Sequence, residues 1–148
     1  MTLTEAIKGA KRVYLCGNGG SAANAIHIAN DLIGCGIRAH ALTADVATLT
    51  AIANDHGYEH VFSQQLRVFA DAGDLLICLS GSGNSPNIIE AIKVAKKMGM
   101  NTYAVTGEFT DALAADLAQH AIRVGDDMQM AEDNQLILGH KVMREMRG

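Results

Sequence analysis

The sequence has 148 residues, 49% of them hydrophobic, enough to bury one proper core without disulfide or metal staples. Its formal net charge is −4 and it has no block of Lys or Arg, which argues against a nucleic-acid or anionic-membrane partner and leaves a small ligand as the first expectation. No uninterrupted apolar stretch reaches the roughly 20 residues that cross a bilayer, and the segment from Met1 to Lys8 lacks the apolar core of a signal peptide, so a cytoplasmic protein is expected.

Taken in chain order, short apolar runs alternate with segments of helical spacing. Val13–Cys16 reads as a first strand and leads into Gly17-Asn18-Gly19-Gly20-Ser21 and a helix over Asn24–Ile33. This loop can bring backbone N–H groups close to an anion beside a helix N-terminus, or it can be an ordinary glycine turn. It is neither a Walker loop nor a full dinucleotide fingerprint. On the helix that follows, His27 and Asp31 are four residues apart and share a face.

A second strand is expected over Ile37–Leu42, then helices over Val46–Ala53 and His60–Ala70. Between these two helices, Asn54-Asp55 reads as a helix-ending turn or as a pair of groups for sugar hydroxyls, with His56 and His60 flanking the turn. The strand Leu75–Leu79 is followed by Ser80-Gly81-Ser82-Gly83-Asn84-Ser85 and a helix over Pro86–Met98. Three hydroxyls together with helix-terminal N–H groups can surround a phosphate without any Lys or Arg. Pro86 suits the first helical turn, Ser85 is placed to cap it, and Gly99 follows as a stop.

Strands over Thr102–Val105 and Ala121–Val124 and a long helix over Met130–Met146 complete the pattern. Strand and helix in alternation predict an α/β three-layer sandwich, a parallel sheet flanked by helices, as one domain over residues 1–148. His40 and His120 lie in or beside strands and read as structural or exposed. Cys16, Cys35 and Cys78 form no disulfide framework and read as reduced core residues. Met128, Met130, Met143 and Met146 are expected in core or subunit-interface packing. On the last helix, Glu132 and His140 are eight residues apart, about 80° around the axis. With His27 and Asp31 they could form a four-ligand divalent metal site or supply a general acid and base, or the histidines could simply pack or cap.

In these blocks the sequence resembles the sugar isomerase (SIS) domain family, and within it the phosphoheptose isomerase branch. The likeness runs from Val13 to Met146 and is carried by Gly17–Ser21, by Ala53-Asn54-Asp55-His56-Gly57-Tyr58 through Val61-Phe62-Ser63, and by Ser80–Asn87. It implies a five-stranded, flavodoxin-like parallel sheet and a homotetramer with active sites at subunit boundaries. It also implies a helical N-terminal segment that helps form the tetramer, of which this sequence carries Leu3–Ala10. The implied reaction interconverts sedoheptulose 7-phosphate and an aldose heptose 7-phosphate by proton transfer through an enediol.

Carried over residue by residue, Asp31 would be the base and His140 the acid. Asn18, Gly19, Gly20, Ser21, Asn54, Asp55, Ser80, Gly81, Ser82, Ser85 and Glu132 would bind substrate. His27, Asp31, Glu132 and His140 would ligate one zinc or other divalent ion per subunit. Asp31 stands where the family usually has glutamate, Glu132 where it commonly has glutamine, and Gly81 where it usually has threonine. The alternatives are a non-catalytic SIS domain, serving as a sugar-phosphate sensor or as a tetrameric adaptor of the replication-initiation regulator type, and an isomerase for another phosphosugar.

Overall fold

The computed structural model describes residues 1–108 and 111–148. Five parallel strands form one sheet: β1 (Val13–Gly17), β2 (Ala39–Ala41), β3 (Leu75–Ser80), β4 (Asn101–Thr106) and β5 (His120–Arg123), in the spatial order β2-β1-β3-β4-β5. The helices are α1 (Leu3–Lys8), α2 (Gly20–Gly34), α3 (Val46–His56), α4 (Ser63–Phe69), α5 (Pro86–Lys97), α6 (Leu113–Leu117) and α7 (Met128–Arg147), with a 3₁₀ turn at Tyr58–His60. The expected alternation and the five-stranded parallel sheet are both present. The short helix α6 lies outside the expected elements, because its five residues are too few to show a helical period.

The uninterrupted apolar runs at β1 and β3 make these the central strands, buried along their whole length, as a parallel sheet covered on both faces requires. Alternate side chains divide between two cores. Tyr14, Cys16, Leu76, Cys78 and Ala104 face the side covered by α4 and α5, together with Phe62, Leu66, Ile88 and Ile92. Val13, Leu15, Leu75, Ile77, Leu79 and Val105 face α1, α2 and α7, meeting Ile7, Ile28, Leu32 and Val142. Each such Leu or Ile contributes roughly 1.5–3 kcal/mol relative to an exposed one.

Cys16 and Cys78 are buried free thiols, neighbours in register with their sulfurs 3.6 Å apart. The hydrogen bond between them, with burial, pushes the Cys16 thiol well above its ordinary range and keeps it protonated. Cys35 is only half-buried, at the end of α2, so the core assignment does not extend to it.

β1 leads through α2 to β2 on one side of the sheet, whereas β3 leads through α5 to β4 on the other. This reversal opens a crevice beyond the carboxyl ends of β1 and β3, where open α/β sheets bind ligands. The two loops singled out in the sequence both begin there. Among the described residues, no helix is long and apolar enough to cross a membrane.

Candidate active site

The serine loop is braced by its own backbone. Ser80 Oγ accepts the N–H of Gly83 at 3.0 Å and Ser82 Oγ accepts the N–H of Asn84 at 3.2 Å. A hydroxyl that accepts from the backbone still has its own proton to donate. The Asn84 amide ties the loop to the next segment, donating to the Asp111 carbonyl at 2.7 Å and accepting the N–H of Leu113 at 3.0 Å. Pro86 opens α5 as expected, but the Ser85 hydroxyl makes no capping bond. It lines a small pocket instead, while the Ser85 carbonyl accepts the N–H groups of Ile88 and Ile89.

That pocket, of about 60 Å³, is lined by Asn18, Ser21, Ser80, Gly81, Ser82, Ser85 and Met128. Its walls are hydroxyls, an amide, backbone and one thioether, with no Lys or Arg. Met128 is therefore not a core methionine: it is 40% exposed, and as the first residue of α7 it reaches the pocket mouth. A Cβ on Gly81 would come within 2.6 Å of its sulfur, so Met128 occupies the space a side chain at 81 would need.

The first loop is packed too tightly to accept a side chain at its start. A Cβ on Gly17 would lie 2.8 Å from the Leu79 carbonyl oxygen and from Ser21 backbone. Gly17→Ala is expected to lower stability by about 1–3 kcal/mol, because rigid backbone must move. Urea unfolding measures this directly, and an unchanged midpoint would show that the contact yields freely. Gly19, with φ 56°, turns the chain into α2 through a conformation that favours glycine.

Donors near this loop are largely used inside the protein. Ser21 Oγ donates to Gln135 Oε1 at 3.2 Å, and Asn24 Nδ2 donates to the same oxygen at 3.0 Å and to the Glu132 carbonyl at 2.8 Å. The Glu132 carboxylate occupies the place where a Cβ on Gly20 would stand. A negative charge thus already sits at the positive end of α2. Both candidate anion loops line the pocket, the serine loop with four residues and the first loop with Asn18 and Ser21. Gly19 and Gly20 are not among its lining residues.

α2 and α7 lie side by side, in contact where Ile28 presses against Gly139; a Cβ on Gly139 would come within 2.6 Å of Ile28 Cγ1. This close approach brings His27, Asp31 and His140 together. The Nε2 atoms of His27 and His140 are 3.1 Å apart, and Asp31 Oδ2 lies 3.4 Å from the first and 3.5 Å from the second. Asp31 Oδ2 is buried with no hydrogen-bond partner, whereas the His27 and His140 side chains are 48% and 36% exposed.

Two imidazole nitrogens and a carboxylate oxygen at these separations suit a shared cation. Donors bound tetrahedrally at about 2.0–2.2 Å stand roughly 3.3–3.6 Å from one another. The orphaned oxygen of Asp31 is a polar atom that such an ion would satisfy. Glu132 does not join this group, because its carboxylate is turned toward Gly20.

Asn54 and Asp55 end α3 at the surface, bonded to each other at 3.0 Å, and lie outside the pocket lining. His56 and His60 flank the turn at Gly57 as expected. His40 and His120 stack edgewise or tilted on Tyr14, Phe69 and Tyr103, in structural positions. Tyr58, Asn87 and Gln135 have no assigned role in the sequence reading. Their bonds join segments far apart in the chain, and spacing along a single element carries no trace of that.

A model of the SIS domain family matches residues 1–107. The phosphoheptose isomerase of Campylobacter concisus is 38% identical over 146 residues, covering 95% of this chain and 77% of the relative. That of Akkermansia muciniphila is 40% identical over 146 residues, covering 94% and 77%. The solved phosphoheptose isomerase from Neisseria gonorrhoeae superposes with a TM-score of 0.86 at 37% identity, covering 98% of this chain and 80% of that one. With a sheet order, a serine loop and a His-Asp-His cluster of the kind described above, the chain belongs to the SIS domain family, in its phosphoheptose isomerase branch.

Proposed function

We propose that this protein is an aldose-ketose isomerase that interconverts sedoheptulose 7-phosphate and an aldose heptose 7-phosphate, a reading supported by relatives named phosphoheptose isomerase. The observation that carries the reading is the meeting of His27, Asp31 and His140 on the α2–α7 seam, beside a hydroxyl-lined pocket at the head of the same two helices. Ser21, in that pocket, and His27 are six positions apart on α2. This is about 9 Å along the helix axis, a span that a phosphosugar of several carbons covers.

In this mechanism the phosphate sits on Ser80, Ser82 and Ser85, held by hydroxyl and helix-terminal N–H groups. Asp31 takes a proton from the carbon beside the carbonyl and returns it to the neighbouring carbon. His140 gives and recovers the proton on oxygen, which carries the sugar through an enediol. Asp31 has two oxygens for two tasks: Oδ2 faces the histidines, and the other can face the substrate. His27 and His140 through Nε2 and Asp31 through Oδ2 would hold a zinc or similar divalent ion, which would leave Nδ1 of His140 as the nitrogen that carries the proton. Such an ion, when bound, stabilises negative charge on the sugar oxygen. Asn54 and Asp55 contact sugar hydroxyls. We further propose that the chain forms one domain and works in the cytoplasm as a homotetramer.

Purified protein incubated with sedoheptulose 7-phosphate should yield an aldose product. Activity should fall after treatment with a strong chelator and return on addition of zinc. Absence of aldose with every divalent metal tried would reject the isomerase reading. Turnover indifferent to chelation would remove the metal from it.

A further inference from the structure

The side chain of Asn18 is a junction of three loops. Its Nδ2 donates to Asn87 Oδ1 at 2.9 Å and its Oδ1 accepts from Asn87 Nδ2 at 2.9 Å, a reciprocal amide pair between the first loop and the start of α5. The same Oδ1 accepts the Tyr58 hydroxyl at 2.7 Å. Both lone pairs of that oxygen are then used. Asn87 is 2% exposed, directly behind the serine loop, so this arm of the junction is rigid. Tyr58 is 56% exposed and stands just past the end of α3.

α3 needs such a fastening. None of its residues is fully buried, and Val46 is 70% exposed. Leu49, Ile52 and Ala53 rest only partly on the core. An element with so few buried apolar contacts belongs to the part of a fold that opens locally at low cost. It also ends in Asn54-Asp55, the pair assigned above to sugar hydroxyls. The hydroxyl of Tyr58 is the side-chain bond that ties this end to the loop above β1.

We infer that Tyr58 and Asn87 are positioning residues which act through Asn18, holding the Asn54-Asp55 end of α3, the first loop and the serine loop in one frame around the sugar. Asn87 sets the first loop against the phosphate pocket, and Tyr58 sets α3 against the first loop. This assignment rests on the isomerase reading for its effect on substrate, but its structural part does not.

Tyr58→Phe removes one hydroxyl and keeps the ring. Loss of a single hydrogen bond of this kind amounts to about a 2- to 10-fold change in a local equilibrium. In the full-length variant, amide hydrogen exchange over Val46–His56 should quicken by that factor, while β1 and β3 stay as protected as in the parent. The KM for sedoheptulose 7-phosphate should rise by a similar factor with kcat little changed, and competition by inorganic phosphate should be unaltered. A general loosening of the fold would weaken phosphate as well. In an Asn18→Ala background, Tyr58→Phe should add nothing further.

Unchanged exchange over α3, or a full independent effect of Tyr58→Phe without the Asn18 amide, overturns the inference. The exchange measurement needs no substrate. A parent protein that turns over no phosphosugar therefore refutes the isomerase reading and leaves the junction to be judged on exchange alone.

Discussion

His140→Ala should lower kcat by about 10²- to 10⁴-fold, the usual contribution of a positioned acid or base, with little change in stability. The fold tolerates the change because the His140 side chain is 36% exposed and lies on α7, where alanine is the best helix former. Asp31 Oδ2 has no hydrogen bond to lose, and His27 Nε2 remains 3.4 Å from it. What disappears is one of three converging donors and the proton carrier of the proposed mechanism. Steady-state kinetics beside thermal unfolding checks both halves. Turnover within tenfold of the parent, in a variant that melts with it, would remove His140 from the chemistry.

Asp31→Asn should be comparably severe, for a different reason. Asparagine matches the shape of aspartate but has neither its charge nor its basicity, so it cannot take a proton from carbon. Its amide group can also present N–H to the imidazoles, where a cation needs a lone pair. Activity should fall by about 10²- to 10⁴-fold, and zinc retained after dialysis should drop with it. Stability should hold or rise slightly, since the change removes the desolvation cost of a carboxylate whose buried Oδ2 has no hydrogen bond. Metal content and kinetics are separate readouts. Lost turnover with full zinc retention would keep Asp31 as base and remove it as ligand; retained turnover would remove it as base.

The shorter carboxylate at position 31, which departs from the glutamate of the resembling family, does not keep the side chain from the histidines. Close packing of Ile28 on Gly139 draws α2 and α7 together, and Asp31 Oδ2 lies within 3.5 Å of both rings. Position 132 is different. Glutamate there turns to the N-terminal end of α2, beside Gly20, where its charge is favoured by the helix. Asp31 differs from the family pattern in length and Glu132 in charge, and only Asp31 is held at the cluster.

Much of this protein is legible in its sequence, because the signals are local. The period of apolar residues marked all five strands and the long helices, since side-chain direction along one element follows from backbone geometry alone. Strand edges moved by a residue or two. Ile37–Leu42 shrank to Ala39–Ala41, an edge strand paired on one side alone, with Val13–Leu15 of β1. The serine loop was readable for the same local reason: three hydroxyls within six residues, between a strand and a proline-opened helix, need no distant partner to suggest an anion.

What only the tertiary structure decided depends on residues far apart in the chain. Met128 roofs the pocket because α7 begins over Gly81, 47 positions earlier. Asn18 is a junction because Tyr58 and Asn87, from two other segments, reach it. His27 meets His140 across 113 positions because a glycine lets two helices touch. The sequence by itself determined the kind of sheet, the family and the serine loop as a candidate anion site, each written in neighbouring side chains. Tertiary packing decided which donors line the pocket and which are used inside, since a hydrogen bond or a cluster of side chains exists only where the fold brings its atoms within about 3 Å.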